Sequence, residues 1–208
     1  MTLADVQIIE KSRLPDTPMS LEQFLEWQEE DTRAEWVNGE VIFMSPASRK
    51  HQEISKFLTH LMDLFIETRH LGVLLYAPFP MRLGSRPSVR EPDLLFVLTK
   101  NLSRLKETYL DGPADIVVEI ISHESIGRDR GDKFAEYEHA GIPEYWLIDP
   151  IRQHAEFYCL QNDHYYPADT PNAIFHSTIL TDFWLNTQWL WQEPLPNPLH
   201  ILRELKIL

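Results

Sequence analysis

The 208-residue sequence has little cysteine, glycine or basic charge, and it has no long apolar run. Its one cysteine, Cys159, excludes an intramolecular disulfide and a cysteine-rich zinc site. The seven glycines do not cluster into a phosphate-binding loop. No apolar run approaches the roughly 18 residues of a membrane span, and the N-terminus lacks a signal-peptide pattern. We therefore expect a soluble, cytoplasmic protein with no membrane partner.

Basic residues are outnumbered, since 19 Lys and Arg face 32 Asp and Glu for a net charge of −13. This balance argues against a protein whose whole surface coats nucleic acid. The segment 49–90 is an exception, with seven basic and three acidic residues. It is either ordinary surface variation or a local anion-facing surface. In the second case the nucleic-acid contacts would be Arg49, Lys50, Lys56, Arg82, Arg86 and Arg90.

What the chain does contain is a hydrophobic content of 43%, enough for one folded domain. We expect a single domain over 1–208, with a core at about 20–160 and a C-terminal β extension at about 161–208. A capping box, Ser20 to Gln23, predicts a helix running to about Glu30. Asn38-Gly39 predicts a hairpin, and Ser48 caps a second predicted helix.

The rest of the pattern predicts a mixed α/β (α+β) fold. We expect strands at 73–83, 92–98, 116–121, 144–149, 155–160 and 164–167, a break at 84–90, and a helix at 130–140. Strand, helix and strand over 116–149 predict a parallel crossover. Three tryptophans of the tail, Trp184, Trp189 and Trp191, are expected to cover one sheet face.

Glu119 is the most informative residue because it interrupts an otherwise apolar strand, Ile116-Val117-Val118-Glu119-Ile120-Ile121. A buried carboxylate needs a compensating cation, which is either a structural partner or part of a functional site. Asp93 follows Pro92 at the mouth of another strand. If the two strands are neighbours, both carboxylates stand side by side. Oxygen ligands of this kind suit Mg²⁺ or Mn²⁺.

At this point the chain resembles the PD-(D/E)XK nuclease superfamily, and more closely a family of uncharacterised proteins described as restriction endonucleases. The resemblance covers about residues 20–149. It is carried by Glu35-Trp36-Val37-Asn38-Gly39-Glu40, Met44-Ser45-Pro46 before His51, Glu91-Pro92-Asp93-Leu94, Asp115 to Ser122, Asp129-Arg130-Gly131-Asp132-Lys133-Phe134-Ala135-Glu136-Tyr137 and Gly141 to Asp149. It implies a restriction-endonuclease-like core, with a central mixed sheet flanked by helices, an N-terminal hairpin and C-terminal antiparallel strands.

The sequence departs from the superfamily pattern at one position. The lysine that the pattern places two residues after the acid is Ile121 here. The resemblance implies that Lys133 on the following helix replaces it, and Tyr137 shares the same helix face. A structural ion pair with Glu119 is the alternative for Lys133.

The resemblance also implies a role for Glu35, with Glu40 across the hairpin as a substitute. Glu35 is otherwise a solvated hairpin residue. His51 could orient a phosphate or water, or it could be a surface or capping residue.

These residues predict a Mg²⁺- or Mn²⁺-dependent endonuclease acting on DNA. Asp93, Glu119 and the carbonyl of Ile120 would hold the metal, Lys133 would stabilise developing charge, and Glu35 would bind a second metal or orient water. Alternatives are a nucleic-acid binding or assembly module without catalysis, or a function on the aromatic C-terminal surface. A homodimer would offer one site to each strand of a duplex, but nothing in the sequence requires it.

Overall fold

The computed structural model describes residues 18–28, 33–84 and 88–207. Four α-helices are described: α1 (Leu21–Trp27), α2 (Arg49–Thr68), α3 (Lys133–Ala140) and α4 (Pro198–Glu204). The described strands are β1 (Ala34–Val37), β2 (Glu40–Phe43), β3 (Gly72–Tyr76), β4 (Met81–Leu83), β5 (Ser88–Arg90), β6 (Leu94–Leu98), β7 (Leu110–Asp111), β8 (Ile116–Ile120), β9 (Glu144–Asp149), β10 (His154–Gln161), β11 (His164–Pro167), β12 (Ile174–His176) and β13 (Trp184–Asn186). No described helix has the length and apolarity to cross a membrane.

A six-stranded mixed sheet of order β11-β10-β9-β8-β6-β3 forms the centre of the fold. Its strands are antiparallel except for β8 and β9, which pair in parallel across the predicted crossover through α3. Gly141 ends α3 with a positive φ of 79°, a conformation that favours glycine. The predicted class, a mixed sheet flanked by helices, is confirmed.

The two faces of this sheet bury different clusters, because alternate residues of a strand point to opposite sides. One face packs against α2, where Ile54, Leu58 and Phe65 are fully buried. Trp184, Trp189 and Trp191 pack at the edge of the same cluster, as predicted for the tail. The other face packs against α3 through Val117, Leu147 and Tyr137 among others. Glu119 alternates with Val117, so it faces α3.

A second sheet, of order β2-β1-β5-β4-β7, carries the predicted hairpin. Asn38 and Gly39 form its turn with φ of 50° and 95°. β5 lies in the segment 84–90 that was predicted as a break, so this prediction was wrong for residues 88–90. The predicted strand 73–83 is two strands in different sheets, β3 and β4. Pro78 and Pro80 separate them, and proline has no N–H to continue a ladder.

Two helix predictions also need correction. α1 ends at Trp27 with Gln28 as its C-cap, earlier than predicted; Glu30 lies outside the described residues. The tail carries a short helix, α4, that we did not predict. Asn197 caps it by accepting a hydrogen bond from the Leu199 N–H, and Pro198 occupies its first turn.

Candidate active site

The register of β6 and β8 places Asp93 opposite Glu119. Leu94 pairs with Val118 in the antiparallel ladder, so the preceding and following residues face each other. Asp93 Oδ2 accepts a hydrogen bond of 2.7 Å from the Ile120 N–H. This bond anchors Asp93, which directly precedes β6, to the end of β8. Asp93 Oδ1 lies 3.2 Å from His51 Nε2. His51 is therefore buried beside Asp93, and the surface interpretation of this histidine was wrong.

Helix α3 brings Lys133 and Tyr137 to Glu119. Glu119 Oε1 accepts hydrogen bonds from Lys133 Nζ at 2.9 Å and from Tyr137 Oη at 2.7 Å. A π-helical turn at 128–132 precedes α3, and it presents Asp129 to the same ammonium at 3.4 Å. Such turns concentrate at functional sites. The shared helix face predicted for Lys133 and Tyr137 is confirmed.

Glu35 completes this group, which we call the Lys133 cluster: Glu35, Glu119, Asp129, Lys133 and Tyr137. Glu35 Oε1 lies 2.9 Å from Lys133 Nζ, and Glu35 Oε2 accepts a 2.9 Å hydrogen bond from Arg90. Glu35 is fully buried, so its interpretation as a solvated residue was wrong. Glu40 is exposed and does not replace it.

The charges of the Lys133 cluster set its protonation. Burial raises the pKa of Glu119 well above its ordinary value, and the carboxylates of Asp129, Asp93 and Glu35 add to this against the effect of Lys133. Burial would also raise the pKa of Glu35, but Lys133 and Arg90 outweigh it and lower that pKa. Burial opposes the charge on Lys133, yet its three carboxylate neighbours raise its pKa. Lys133 is thus a fixed cation and not a proton acceptor.

The Lys133 cluster opens into a cavity of about 360 Å³, which we call the acidic pocket. Five acidic and four basic residues line it. The acidic residues are Glu91, Asp93, Glu119, Glu124 and Asp129, and the basic residues are Arg33, Lys50, Arg128 and Lys133. Four buried polar atoms in this lining have no hydrogen-bond partner: His51 Nδ1, Glu91 Oε2, Arg128 Nε and Asp129 Oδ1. Because buried polar groups are normally paired, these atoms indicate a place for water or a ligand.

The oxygen donors of this pocket fit a hard divalent cation. Asp93 and Glu119 face each other, burial raises the pKa of Glu119 with a smaller contribution from Asp93, and Asp129 Oδ1 contacts the Lys133 ammonium nearby without a hydrogen-bond partner. No three His, Cys, Asp or Glu side chains of the described residues form a ready metal cage. A Mg²⁺ site needs only one or two carboxylates when water completes the octahedron.

The predicted nucleic-acid contacts are scattered rather than gathered. Lys50 lines the acidic pocket and Lys56 a neighbouring one, while Arg49 is exposed at the start of α2. Arg82 pairs with Asp111 on the second sheet, and Arg86 lies outside the described residues.

Arg90 cannot be the contact that we predicted. Its guanidinium is buried between Glu35 and Glu136, with hydrogen bonds of 2.7 to 2.9 Å. It supports Glu35 instead. We missed this role because β5, which carries Arg90, was not predicted.

The sequence reasoning also left Asp129 and Glu91 unassigned. Asp129 stands four residues before Lys133, a spacing that places both side chains on one side of a helical turn. Glu91 precedes the Pro92-Asp93 pair, and its Oε1 accepts hydrogen bonds from Arg33 at 3.2 Å. The four-residue spacing could have identified Asp129, and the position next to Pro92-Asp93 could have identified Glu91.

A mixed sheet with facing acidic residues at the end of its central strands, and a lysine on the crossover helix, defines a restriction-endonuclease-like fold. Comparison of structures agrees. The crystal structure of a putative nuclease belonging to DUF820 from Anabaena variabilis ATCC 29413 superposes with a TM-score of 0.70 at 18% identity, covering 84% of this chain and 98% of that one.

The chain belongs to the Uma2 family, described as "Putative restriction endonuclease", whose model matches residues 21–188. Among curated proteins, it is 24% identical over 139 residues to the uncharacterized protein sll1609 of Synechocystis sp. (strain ATCC 27184 / PCC 6803 / Kazusa). That match covers 65% of this chain and 77% of the relative.

Proposed function

We propose that this protein is a Mg²⁺- or Mn²⁺-dependent endonuclease that hydrolyses phosphodiester bonds in DNA. The observation that carries the proposal is the convergence of Asp93, Glu119 and Lys133 in one pocket, from three separate elements. Perturbed carboxylates beside a buried cation in a cleft are typical of active sites.

Asp93 and Glu119 would hold the metal, with the Ile120 carbonyl as a further ligand. When bound, the cation supplies a water of lowered pKa and neutralises charge on the phosphate. The fit of a hard cation to these oxygens is the basis for Mg²⁺ or Mn²⁺ as the cofactor.

The chain's own residues would do the rest. The Lys133 ammonium would stabilise the negative charge that develops on the phosphate as water oxygen bonds to phosphorus and the bond to the leaving sugar oxygen breaks. Tyr137 would fix the orientation of Glu119, and His51 that of Asp93. Glu35 is fully buried and does not line the acidic pocket, and its oxygens contact Lys133 and Arg90, so Glu35 would position Lys133 rather than bind a second metal.

Plasmid nicking tests this proposal. We expect the wild-type protein to nick DNA in the presence of Mg²⁺ or Mn²⁺, and we expect nicking to stop when EDTA is added. The nicking rates of Asp93→Asn and Glu119→Gln should be lower by about 100-fold or more. Glu40→Gln, an exposed change in the same hairpin as Glu35, is the control and should retain activity. Equal rates for all four proteins would refute the assignment.

A binding or assembly module without catalysis is the second candidate. It is favoured by Glu119 Oε1, which already accepts two hydrogen bonds, and by Ile121 at the usual lysine position. Calorimetry separates the two: DNA affinity without any Mg²⁺ or Mn²⁺ site would favour the module. Tight DNA binding in EDTA would likewise count against the nuclease.

A further inference from the structure

A second cavity, of about 340 Å³, adjoins the acidic pocket and shares two of its lining residues, Arg33 and Asp93. We call it the flanking pocket. Because Asp93 belongs to both, whatever fills the flanking pocket lies directly beside the phosphate that would occupy the acidic pocket. Its volume is at the small end of the about 300–1,000 Å³ of small-molecule sites.

One wall of the flanking pocket is a polar stripe on α2. The stripe consists of Gln52, Ser55, Lys56, Thr59 and His60, whose spacing of three and four residues places them on one side of the helix. The opposite side of α2 is buried against the central sheet. Lys56 forms no ion pair with any described residue, so its ammonium is available to an anion. The amide and hydroxyls add hydrogen-bonding groups.

The other wall is Tyr76, the last residue of β3. It pairs with Leu94 in the ladder, and the next residue, Ala77, donates its N–H to the Asp93 carbonyl at 3.1 Å. These bonds fix Tyr76 next to the proposed metal ligand. The side chain is nevertheless 62% exposed, and its ring packs against no other aromatic ring of the described residues. An exposed aromatic ring at the rim of a polar pocket has a face on which a base can stack.

We infer that the flanking pocket is a subsite for one unpaired nucleotide next to the scissile phosphate, with its base stacked on Tyr76 and its backbone near Lys56. This inference rests on the proposed nuclease function. Aromatic rings bind bases through their faces, which are exposed only where the base is not stacked on its neighbours in a duplex. The substrate class is therefore single-stranded DNA, or a duplex with a locally unpaired base.

The test measures binding rather than cleavage. The probe is a phosphorothioate single-stranded oligonucleotide carrying 2-aminopurine, titrated with the full-length chain in Mg²⁺ and compared with the matched duplex. We expect 2-aminopurine fluorescence to be quenched on binding to wild type and to Tyr76→Phe. Tyr76→Ala should abolish the quenching and weaken affinity about tenfold, as loss of one stacked base predicts.

Tyr166→Ala is the matched control, since Tyr166 is 49% exposed on β11, at the opposite edge of the same sheet from β3. It should bind like wild type. If Tyr76→Ala and Tyr166→Ala bind the single strand with equal affinity, the subsite is overturned. It is also overturned if Tyr76→Ala loses as much affinity for the duplex as for the single strand. The nuclease proposal would survive either result if Asp93→Asn still abolished nicking. Tyr76-dependent binding without any nicking would support the subsite and overturn catalysis.

Discussion

Two buried glutamates on neighbouring strands of the central sheet have opposite surroundings. Glu144 of β9 faces the α2 side and accepts hydrogen bonds from Trp146 Nε1, Ser177 Oγ, Thr178 N and Thr178 Oγ1, at 2.7 to 3.1 Å. Glu119 of β8 faces the α3 side, where other carboxylates surround it and a cavity opens. The first arrangement ties the tail to the sheet, whereas the second holds Glu119 between Lys133, Tyr137 and the acidic pocket. Burial alone therefore does not identify a functional carboxylate.

Removing the cation of the Lys133 cluster should have the largest effect. Lys133→Met leaves Glu35, Glu119 and Asp129 without their shared partner, so we expect the free energy of unfolding to fall by about 3–5 kcal/mol. Nicking should fall about 100-fold or more. Urea denaturation and plasmid nicking measure the two effects. Lys106→Met, on the exposed surface, is the control. If both variants are equally stable, Lys133 does not hold the carboxylates.

The Glu144 side should lose stability without losing activity. Glu144→Ala leaves the donors of Trp146, Ser177 and Thr178 without their acceptor, and we expect a destabilisation of about 3 kcal/mol. The nicking rate per folded molecule should stay that of wild type. Urea denaturation, together with nicking at a temperature where the variant is folded, checks this. A large loss of nicking by the folded variant would show that Glu144 also contributes to activity, which contradicts its purely structural role.

Removing one tyrosine hydroxyl tests the same difference between a site residue and a purely structural one. Tyr137→Phe removes the hydrogen bond to Glu119, and Tyr165→Phe removes another buried hydrogen bond, the one to the Ile142 carbonyl at 2.9 Å. Each should cost about 1 kcal/mol of unfolding free energy. Only Tyr137→Phe should slow nicking, by several-fold, because only it orients a proposed metal ligand. Equal nicking by the two variants would remove Tyr137 from the site.

The last expected effect is on the pH dependence of stability in EDTA. Burial and neighbouring carboxylates raise the pKa of Glu119, so its contribution is complete below the unfolded value of about 4.3 and is lost as pH rises through the folded pKa. Glu119→Gln should flatten this decline. Glu35, whose pKa is lowered, has the opposite sign and loses its contribution as pH falls below about 4.3.

Urea denaturation across this pH range provides the measurement, with Glu40→Gln as the matched variant. A wild-type curve that does not fall above pH about 4.3, or one unchanged by Glu119→Gln, would contradict the prediction.

Local patterns singled out Asp93 and Glu119, and the family resemblance implied Lys133 on the following helix. The apolar run around Glu119 and the proline before Asp93 predicted two strands but left open whether they are neighbours, and the register of β6 and β8 shows that they are. The burial of Glu35 was not predictable in this way, because it depends on Arg90. That residue lies on a three-residue strand whose pairing with β1 spans some fifty residues of chain. Local spacing carries no information about such a partner.

The π-helical turn before α3 sets which side chain of the helix faces Glu119. Successive helical residues are rotated by about 100°, so deleting one residue from 128–132 would turn Lys133 away from β8 and place Phe134 at the position that Lys133 now occupies. The number of residues in the turn, and not only their identity, decides which side chain reaches Glu119. The cation beside Glu119 can thus come from the helix although Ile121, which follows β8, is not a lysine, and deleting one residue of the turn should separate Lys133 from Glu119.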